Sequence, residues 1–517
     1  MFADAFGVDN VSAPGKVYLV GAGPGDPGLI TVRGKRLIET ADAIVYDGLV
    51  NPALIPANAR ESGSPELYFV GKRGPSKKGV PQEDINSLLV KLAREGKRVV
   101  RLKGGDPLLF GTGAEEIQAC NDAQVEFEIV PGITSGMAAP AYAGIPLTQR
   151  GLSRSVTFVS SSELPSKSTT QTNWSALAKT GGTIVLYMGT KNLAEIVNEL
   201  VTGGMPKEIP AAAIQWGTRA RQKTVVATLD SIAAAAEKAG LTAPVVTVIG
   251  WPVVLRDEMK WFETRPLFGK RIAVTRAALQ AASLSEKLAD LGADVIEMPA
   301  TRIARLDSSE LREIMSHLDE FAWLLFTSQN GVAIFWDNLL ASGQDSRALA
   351  PLRIGAVGPA TAAALLVRAI TVDIVPERFV AEGLLEKLRE RDDVAGGRVL
   401  YVTAENAREI LPNGLRELGA DVTVIEAYRS APDESGAERM RKRIAADRID
   451  LITFTAPSAV RAFVDAVGAE SVMRVPAASI GPVTSDAVRA AGIEVKIEAK
   501  ESTIDGLVAA IADAYKD

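Results

Sequence analysis

Residues 98–116 read RVVRLKGGDPLLFGTGAEE. The apolar run Val99, Val100 and Leu102 predicts a buried strand that ends in a tight turn, Gly104-Gly105-Asp106-Pro107. Two more glycines, Gly111 and Gly113, follow. A helix then opens with Glu115 and Glu116 in its first turn, where acids suit the helix dipole. Paired glycines at the C-terminal end of a strand let backbone pass close to a ligand. A plain strand–turn–helix connection accounts for the same residues, and glycine loops match by chance often enough that the surroundings have to decide.

Upstream, KVYLVGAGPGDPGLIT (16–31) predicts a strand, a glycine loop at Gly21, Gly23 and Gly25, and a helix entered after Asp26-Pro27-Gly28. ADAIVYDGLV (41–50) adds a strand ending at Asp47. Glycine turn, helix and an acid some twenty residues on is the outline of a dinucleotide fold. The detail opposes it. The third glycine of G-x-G-x-x-G falls on Asp26, and Pro24 and Pro27 crowd the helix start where a pyrophosphate wants free N–H groups. A nicotinamide-dependent dehydrogenase is therefore disfavoured.

The alternation continues. LYFVGKRG (67–74) is a strand with a basic turn, and VPQEDINSLLVKLAREGK (80–97) an amphipathic helix. Residues 125–151 give a strand, a Pro-Gly turn and a run of small residues that permits close backbone approach. From 155 to 255 a second α/β unit follows, with a loop at 164–174. Residues 1–14 read as a loose arm, and 257–271 as a short polar and aromatic connector.

Composition narrows the chemistry. The chain has 517 residues, enough for several cores, and a net charge of −6 with no basic excess to draw nucleic acid. One cysteine, Cys120, excludes an internal disulfide, and one histidine, His317, leaves no His-cluster metal site or Ser-His-Asp triad. Cys120 reads as a small buried helix residue and His317 as a partly exposed helix position. There is no signal-like N-terminus and no apolar run long enough to span a bilayer, so the expectation is cytoplasmic.

The remainder repeats itself. Residues 271–303 align with 398–430, pairing Leu291-Gly292-Ala293-Asp294-Val295 with Leu418-Gly419-Ala420-Asp421-Val422. WLLFTSQNGVAIF (323–335) aligns with DLITFTAPSAVRAF (450–463), and Gly358-Pro359-Ala360-Thr361 with Gly481-Pro482-Val483-Thr484. Two similar α/β lobes follow, with strands ending in hydroxyls at Thr327 and Ser328 and at Thr455 and Ser458. Ligands bind at such strand ends, and helix capping uses the same residues.

Residues 15–255 resemble the uroporphyrinogen-III C-methyltransferases of the tetrapyrrole methylase family. The carriers are GAGPGDPGLIT, YDGLV, VGKRG, VPQEDIN, VVRLKGGDPLLFG, VPGITSG, AYAGIPLTQRG, LYMG and IQWGTRARQ, in order. The resemblance implies a two-lobed α/β fold, 15–130 and 131–255, with S-adenosylmethionine (SAM) as methyl donor in the cleft between the lobes. It implies SAM contacts at Pro24, Gly104, Gly105, Asp106, Leu109, Thr134, Ser135, Met188 and Gly217, with Asp47 as proton acceptor and Lys72 as donor. It also implies two methyl transfers to uroporphyrinogen III, giving precorrin-2 on the route to sirohaem and cobalamin, by a homodimer.

After a connector at 256–265, residues 266–517 resemble uroporphyrinogen-III synthase, through AVTR (273–276), FTSQNGV (326–332), AVGPAT (356–361), AYRS (427–430), FTAPSAV (454–460) and IGPVTSDAV (480–488). This implies a second two-lobed, duplicated α/β fold, one lobe built from 266–302 with 430–517 and the other from 303–429. The implied reaction closes hydroxymethylbilane to uroporphyrinogen III with one pyrrole inverted, without metal or cofactor. Tyr428 would assist departure of the hydroxyl. Arg276 suits a substrate rich in carboxylates, alongside Thr327, Ser328, Thr455, Ser458 and Thr484, while in the methylase half Arg150 remains for the tetrapyrrole.

The chain departs from the methylase pattern at three places. Thr112 stands for the arginine of F-G-R-G, Gln149 for the histidine of T-H-R, and Ser161-Ser162 for G-H of a later G-H-E. Each removes a cationic or imidazole group on the tetrapyrrole side. The alternative is thus an active synthase that carries a SAM-binding methylase-like module impaired in catalysis.

Overall fold

The focal strand takes two cations into the protein interior. In the computed structural model, which describes residues 15–56, 65–71, 79–162, 172–275, 278–299, 301–306, 308–432, 434–446 and 449–516, five parallel strands form the first sheet. They are β1 (Lys16–Gly21), β2 (Ala43–Tyr46), β3 (Glu66–Phe69), β4 (Arg98–Lys103) and β5 (Glu126–Val130), in the order β3-β2-β4-β1-β5. A central parallel strand is covered on both faces, so polar side chains on it are buried along with the apolar ones. Hence Val99, Val100 and Leu102 are buried as their pattern predicts, and so are Arg101 (3 % exposed) and Lys103 (6 %).

One carboxylate balances both. Glu116 is fully buried on the helix that follows β4. Its Oε1 accepts from Arg101 Nε at 3.1 Å and from Lys103 Nζ at 3.0 Å. Burial, reinforced by Arg101, pulls the Lys103 ammonium below its ordinary pKa. The sequence reading placed Glu116 on the helix dipole; the structure gives it a counter-ion role instead.

Four helices flank this sheet and lead to the next: α1 (Val32–Glu39), α2 (Gln82–Arg94), α3 (Gly113–Asp122) and α4 (Ser135–Tyr142). α2 buries Ile85, Leu89, Leu92 and Ala93, the stripe its periodicity predicts. Cys120 is buried on α3. α1 starts later than the sequence suggests. Pro27 and the Asp26 cap, whose Oδ1 accepts from Gly28 N at 2.7 Å, close a single 3-10 turn, Pro27–Leu29. Ile30 then returns to extended geometry, and Thr31 caps α1 through Gly34 N at 3.0 Å. The small-residue run forms α4.

The second sheet holds β6 (Val156–Ser160), β7 (Thr183–Tyr187), β8 (Pro210–Gln215), β9 (Lys223–Thr228) and β10 (Val245–Ile249) in the order β6-β7-β10-β8-β9. Only β6 and β7 run parallel; the other neighbours are antiparallel. Ala139 of α4 and Ala143 just after it pack on its Val185, Ile214 and Val248.

The chain divides into two compact units: residues 1–270 with 288–294 and 515–517, and residues 271–287 with 295–514. In the second unit the strands are β11 (Arg271–Val274), β12 (Asp294–Glu297), β13 (Thr301–Arg305), β14 (Trp323–Phe326), β15 (Arg353–Ala356), β16 (Arg398–Ala404), β17 (Asp421–Pro432), β18 (Leu451–Phe454), β19 (Ala477–Ser479) and β20 (Val495–Glu498). They form two sheets, β12-β11-β18-β19-β20 and β13-β17-β16-β14-β15. The internal repeat pairs β11 with β16, β12 with β17 and β14 with β18. The two sheets share that order, so each joins the first part of one repeat to the second part of the other. The register matches as well: Ile272 faces Leu451 in one sheet, and its repeat mate Val399 faces Trp323 in the other. The chain leaves the first of these sheets after Glu297, enters the other at Thr301, and leaves it after Pro432.

The residues 1–14, Lys72 with Arg73, Arg276 and most of 164–174 lie outside the described residues. Among the described residues no helix is long and apolar enough to cross a membrane.

Removing the negative charge of Glu116 leaves two buried cations facing each other. Glu116→Gln is expected to lower the stability of the first unit by about 3–5 kcal/mol. Denaturant unfolding, followed for the transition that exposes Cys120 to a thiol reagent, checks this.

Candidate functional site

Three glycines meet where β1, β4 and β5 end. A Cβ on Gly21 would lie 2.5 Å from Gly132 Cα and 2.7 Å from the Gly105 carbonyl oxygen. A Cβ on Gly132 would overlap that same oxygen. The loops are also bonded: Gly105 N donates to Gly23 O at 2.7 Å and Gly23 N to Gly105 O at 3.2 Å. Gly23 and Gly105 have φ of +74° and +71°, the left-handed region that glycine enters without strain. On its outer side a Cβ on Gly105 would meet only Thr134 Cα, at 3.9 Å, so that face of the turn is open.

Two acids flank the turn. Asp106 accepts from Leu108 N (2.9 Å) and, across to the β5 loop, from Gly132 N (3.0 Å). Its carboxylate braces the rim. Asp47, just past β2, accepts from Leu49 N at 2.9 Å through Oδ1. Its Oδ2 lies 3.5 Å from Gly104 N and 4.0 Å from Arg101 Nη1. Arg101 is itself held by Glu116 and by the carbonyls of Val45 and Leu102.

The second sheet supplies the opposite wall. Tyr187, at the end of β7, accepts from Gly136 N at 2.7 Å and pairs with Thr134 Oγ1 at 2.7 Å, so its hydroxyl closes the N-terminus of α4. Burial pushes its pKa up, which keeps it protonated. Gly217 lies against α4: a Cβ there would meet Ala139 Cα at 2.9 Å. Thr218 Oγ1 accepts from Asp26 N at 3.0 Å, joining the β8–β9 turn to the glycine loop after β1. Phe110, Met188, Trp216 and Thr218, four of the seven described non-glycine residues with positive φ, sit in these segments. Such conformations cost about 1–3 kcal/mol each and persist where surroundings over-determine them, commonly at ligand sites.

In the second unit, β14 ends in Thr327 and Ser328. Ser328 Oγ accepts from Gly331 N at 3.0 Å, capping the helix Gln329–Ala341, and lies 2.6 Å from the Tyr428 hydroxyl. Tyr428 is buried on β17, and burial raises its pKa. The repeat mates differ. After β18, Thr455 precedes Ala456, which occupies the cap position, and Ser458 lies exposed in the first turn of Pro457–Val467. Thr484 is buried in the first turn of Pro482–Ala490.

Two family profiles match this chain: Tetrapyrrole (Corrin/Porphyrin) Methylases over residues 16–233, and Uroporphyrinogen-III synthase HemD over 282–509. The porphyrin biosynthesis protein HemD of Ruminiclostridium josui is 35% identical over 502 residues, covering 96% of this chain and 97% of that protein. The chain belongs to this family. It joins a tetrapyrrole methylase to a uroporphyrinogen-III synthase HemD domain. The uroporphyrinogen-III C-methyltransferase of Bacillus subtilis (strain 168) is 41% identical over 65% of this chain and 68% of that protein. The S-adenosyl-L-methionine-dependent uroporphyrinogen III methyltransferase of Methanosarcina barkeri is 48% identical over 47% of this chain and 94% of that protein.

In the methylase half, the segments holding Pro24, Gly104, Gly105, Asp106, Thr134, Ser135, Met188 and Gly217 form one connected rim. Leu109 packs into the apolar cluster beneath Tyr187, and Asp47 stands beside Gly104. Arg150 is exposed in the turn closed by Gln149 and Ser153. In the synthase half, Ser328 and Tyr428 come together, while Thr455, Ser458 and Thr484 belong to the other sheet. Sequence reasoning missed Arg101, Glu116, Tyr187 and Asp26. Arg101 and Lys103 two apart in an apolar strand are a signal of a buried counter-ion; nothing local marks Tyr187.

Tyr187→Phe leaves Gly136 N and Thr134 Oγ1 buried without their partner. A stability loss of about 1–3 kcal/mol is expected, with amide exchange faster in the first turn of α4. Hydrogen-exchange mass spectrometry measures it.

Proposed function

We propose that this chain catalyses two consecutive steps of tetrapyrrole synthesis. Its second half closes hydroxymethylbilane to uroporphyrinogen III with inversion of ring D. Its first half transfers two methyl groups from SAM to that product, giving precorrin-2. The observation that carries the reading is the open glycine rim at Gly105, within a chain whose similarity to one relative runs through both halves.

The residues present fit SAM: a rim of backbone free of Cβ atoms, with Leu49, Ile133 and Met188 exposed beside it for the apolar parts of a nucleoside thioether. Pro24, Gly104, Gly105, Asp106, Leu109, Thr134, Ser135, Met188 and Gly217 would hold it. When bound, SAM supplies an electrophilic methyl on a sulfonium. The chain's part is to set an electron-rich pyrrole carbon in line with that methyl, which supplies most of the rate. Asp47 accepts the proton that the ring system gives up after methylation: Leu49 N fixes one oxygen and leaves Oδ2 only loosely engaged at 3.5 Å. Lys72 would return a proton. In the synthase half Tyr428, oriented by Ser328, donates toward the departing hydroxyl. Arg276, Thr327, Thr455, Ser458 and Thr484 meet the carboxylates at strand ends and helix starts. Neither reaction as proposed uses a metal. A homodimer through the methylase half and a cytoplasmic location go with this reading.

A second reading rests on Thr112. Its hydroxyl lies 3.2 Å from Lys103 Nζ, inside the buried cluster, at the position where the family pattern has arginine. That favours a methylase half that binds SAM without transferring methyl. Incubation of the full chain with uroporphyrinogen III and methyl-labelled SAM separates the two: label in the tetrapyrrole supports transfer, and SAM binding without label supports the second reading. Asp47→Asn is expected to lower methyl transfer by about 10²–10⁴-fold with SAM still bound. Gly105→Val, strained at φ +71° and filling the open face, is expected to abolish SAM binding while cyclisation of hydroxymethylbilane continues. Isothermal titration and product chromatography read both.

A further inference from the structure

Residues 256–265 read in the sequence as a connector, yet they are built onto the back of the rim. Trp261 Nε1 donates to Ala141 O at 3.0 Å. The rings of Trp261 and Phe262 lie 5.0 and 4.8 Å from Tyr142, the last residue of α4. Gly144 has φ +73°, and a Cβ there would lie 2.5 Å from Lys260 N, so the segment is pressed against the backbone after α4. Tyr142 in turn donates to Asp26 Oδ2 at 2.7 Å.

A second arm starts from Glu263. Its Oε1 accepts from Gln222 Nε2 at 2.8 Å and Thr224 Oγ1 at 2.6 Å, and its Oε2 takes Arg256. Gln222 is 5 % exposed and accepts from Thr218 N at 2.9 Å through Oε1. Thr218 is one of the strained positive-φ residues, and its hydroxyl accepts from Asp26 N. Both arms therefore end on Asp26, the residue that caps the turn two positions after Pro24. One reaches its carboxylate and the other its amide.

We propose that Tyr142 and Glu263 are positioning residues for the cofactor rim: through Asp26 and Thr218 they hold the 23–28 loop and the 216–218 turn at the spacing a bound nucleoside thioether requires. This rests on the SAM reading given above. The physical ground is that linked hydrogen bonds around buried members, here Gln222 and Thr218, favour one geometry, and loss of one link loosens the rest. Tyr142 suits the task because burial, with Asp26 beside it, raises its pKa, so it remains a donor across the working pH range. The methylase site thus includes residues beyond 255, and the connector belongs to its construction.

The test uses the full chain with Tyr142→Phe, Glu263→Ala and Glu263→Gln. Binding of S-adenosylhomocysteine is measured by calorimetry, and KM for SAM, KM for uroporphyrinogen III and kcat by label transfer. Cyclisation of hydroxymethylbilane and the unfolding midpoint report on folding. Tyr142→Phe and Glu263→Ala are each expected to weaken S-adenosylhomocysteine binding and raise KM for SAM about tenfold, with KM for the tetrapyrrole and cyclisation unchanged. Glu263→Gln, which keeps an acceptor for Gln222 and Thr224, recovers most of the loss. A folded Tyr142→Phe that binds as the parent does overturns the inference, as does an equal rise in both KM values. A parent protein that does not bind S-adenosylhomocysteine overturns the SAM reading, and this inference with it.

Discussion

The methylase half is arranged around one buried carboxylate. Glu116 carries its charge to the centre of the first sheet because β4 brings Arg101 and Lys103 there, and a buried cation without a counter-ion is far more costly than a paired one. The pairing has a geometric consequence. It ties the first turn of α3 beneath the last residues of β4, so the chain from Gly104 to Thr112 has to arch over the strand end. That arch is the rim. The same Arg101 that meets Glu116 lies 4.0 Å from Asp47, so the charge beneath the site and the acid proposed to accept a proton share one guanidinium.

Above this cluster, backbone meets backbone. Gly21, Gly105 and Gly132 approach so closely that no side chain fits between β1, β4 and β5, and the two amides exchanged between Gly23 and Gly105 lock the loops. Close packing on the inner side and open space outside Gly105 follow from the same absence of Cβ atoms. The second lobe then reaches the rim with a hydroxyl and an amide, Tyr187 on α4 and Gln222 on Thr218, and the connector adds a carboxylate, Glu263 on Gln222. Three of the positive-φ residues, Met188, Trp216 and Thr218, lie in or beside these arms, where local strain is offset by tertiary bonds.

The synthase half solves a different problem. Its two repeats are alike enough in sequence to align, and each could in principle close its own sheet. Instead the chain crosses between Glu297 and Thr301 and again after Pro432, so each sheet is shared between repeats. Equivalent strands keep equivalent registers, which preserves the layered core while making the two lobes inseparable. The repeats have diverged at the strand ends. One keeps a capping serine bonded to Tyr428; the other places Ala456 and Pro457 there and leaves Ser458 exposed.

Much of the fold was legible in the chain alone. Apolar runs located β1, β2 and β4, amphipathic periodicity located α2, and the acids after the glycine turn located α3, because buried parallel strands are apolar on both faces and a helix spaces its buried residues by its own period. The glycine pairs marked the strand ends, and the order of motifs identified both families. Other features left no local trace. Pro27 opened a separate 3-10 turn and α1 began later, because Asp26 and Thr31 cap separate segments. Tyr142, Tyr187 and Glu263 gain meaning only from partners far away in sequence, on Asp26, α4 and Gln222. Local periodicity is set by which residues face a core. Which strand lies beside which, and which buried polar atom answers which, is set by the requirement that most such atoms find a partner after the chain has closed on itself. The sequence by itself determined the elements, the duplication and the family; only the tertiary structure decided that Glu116 neutralises β4, that the repeats exchange strands, and that the connector belongs to the rim.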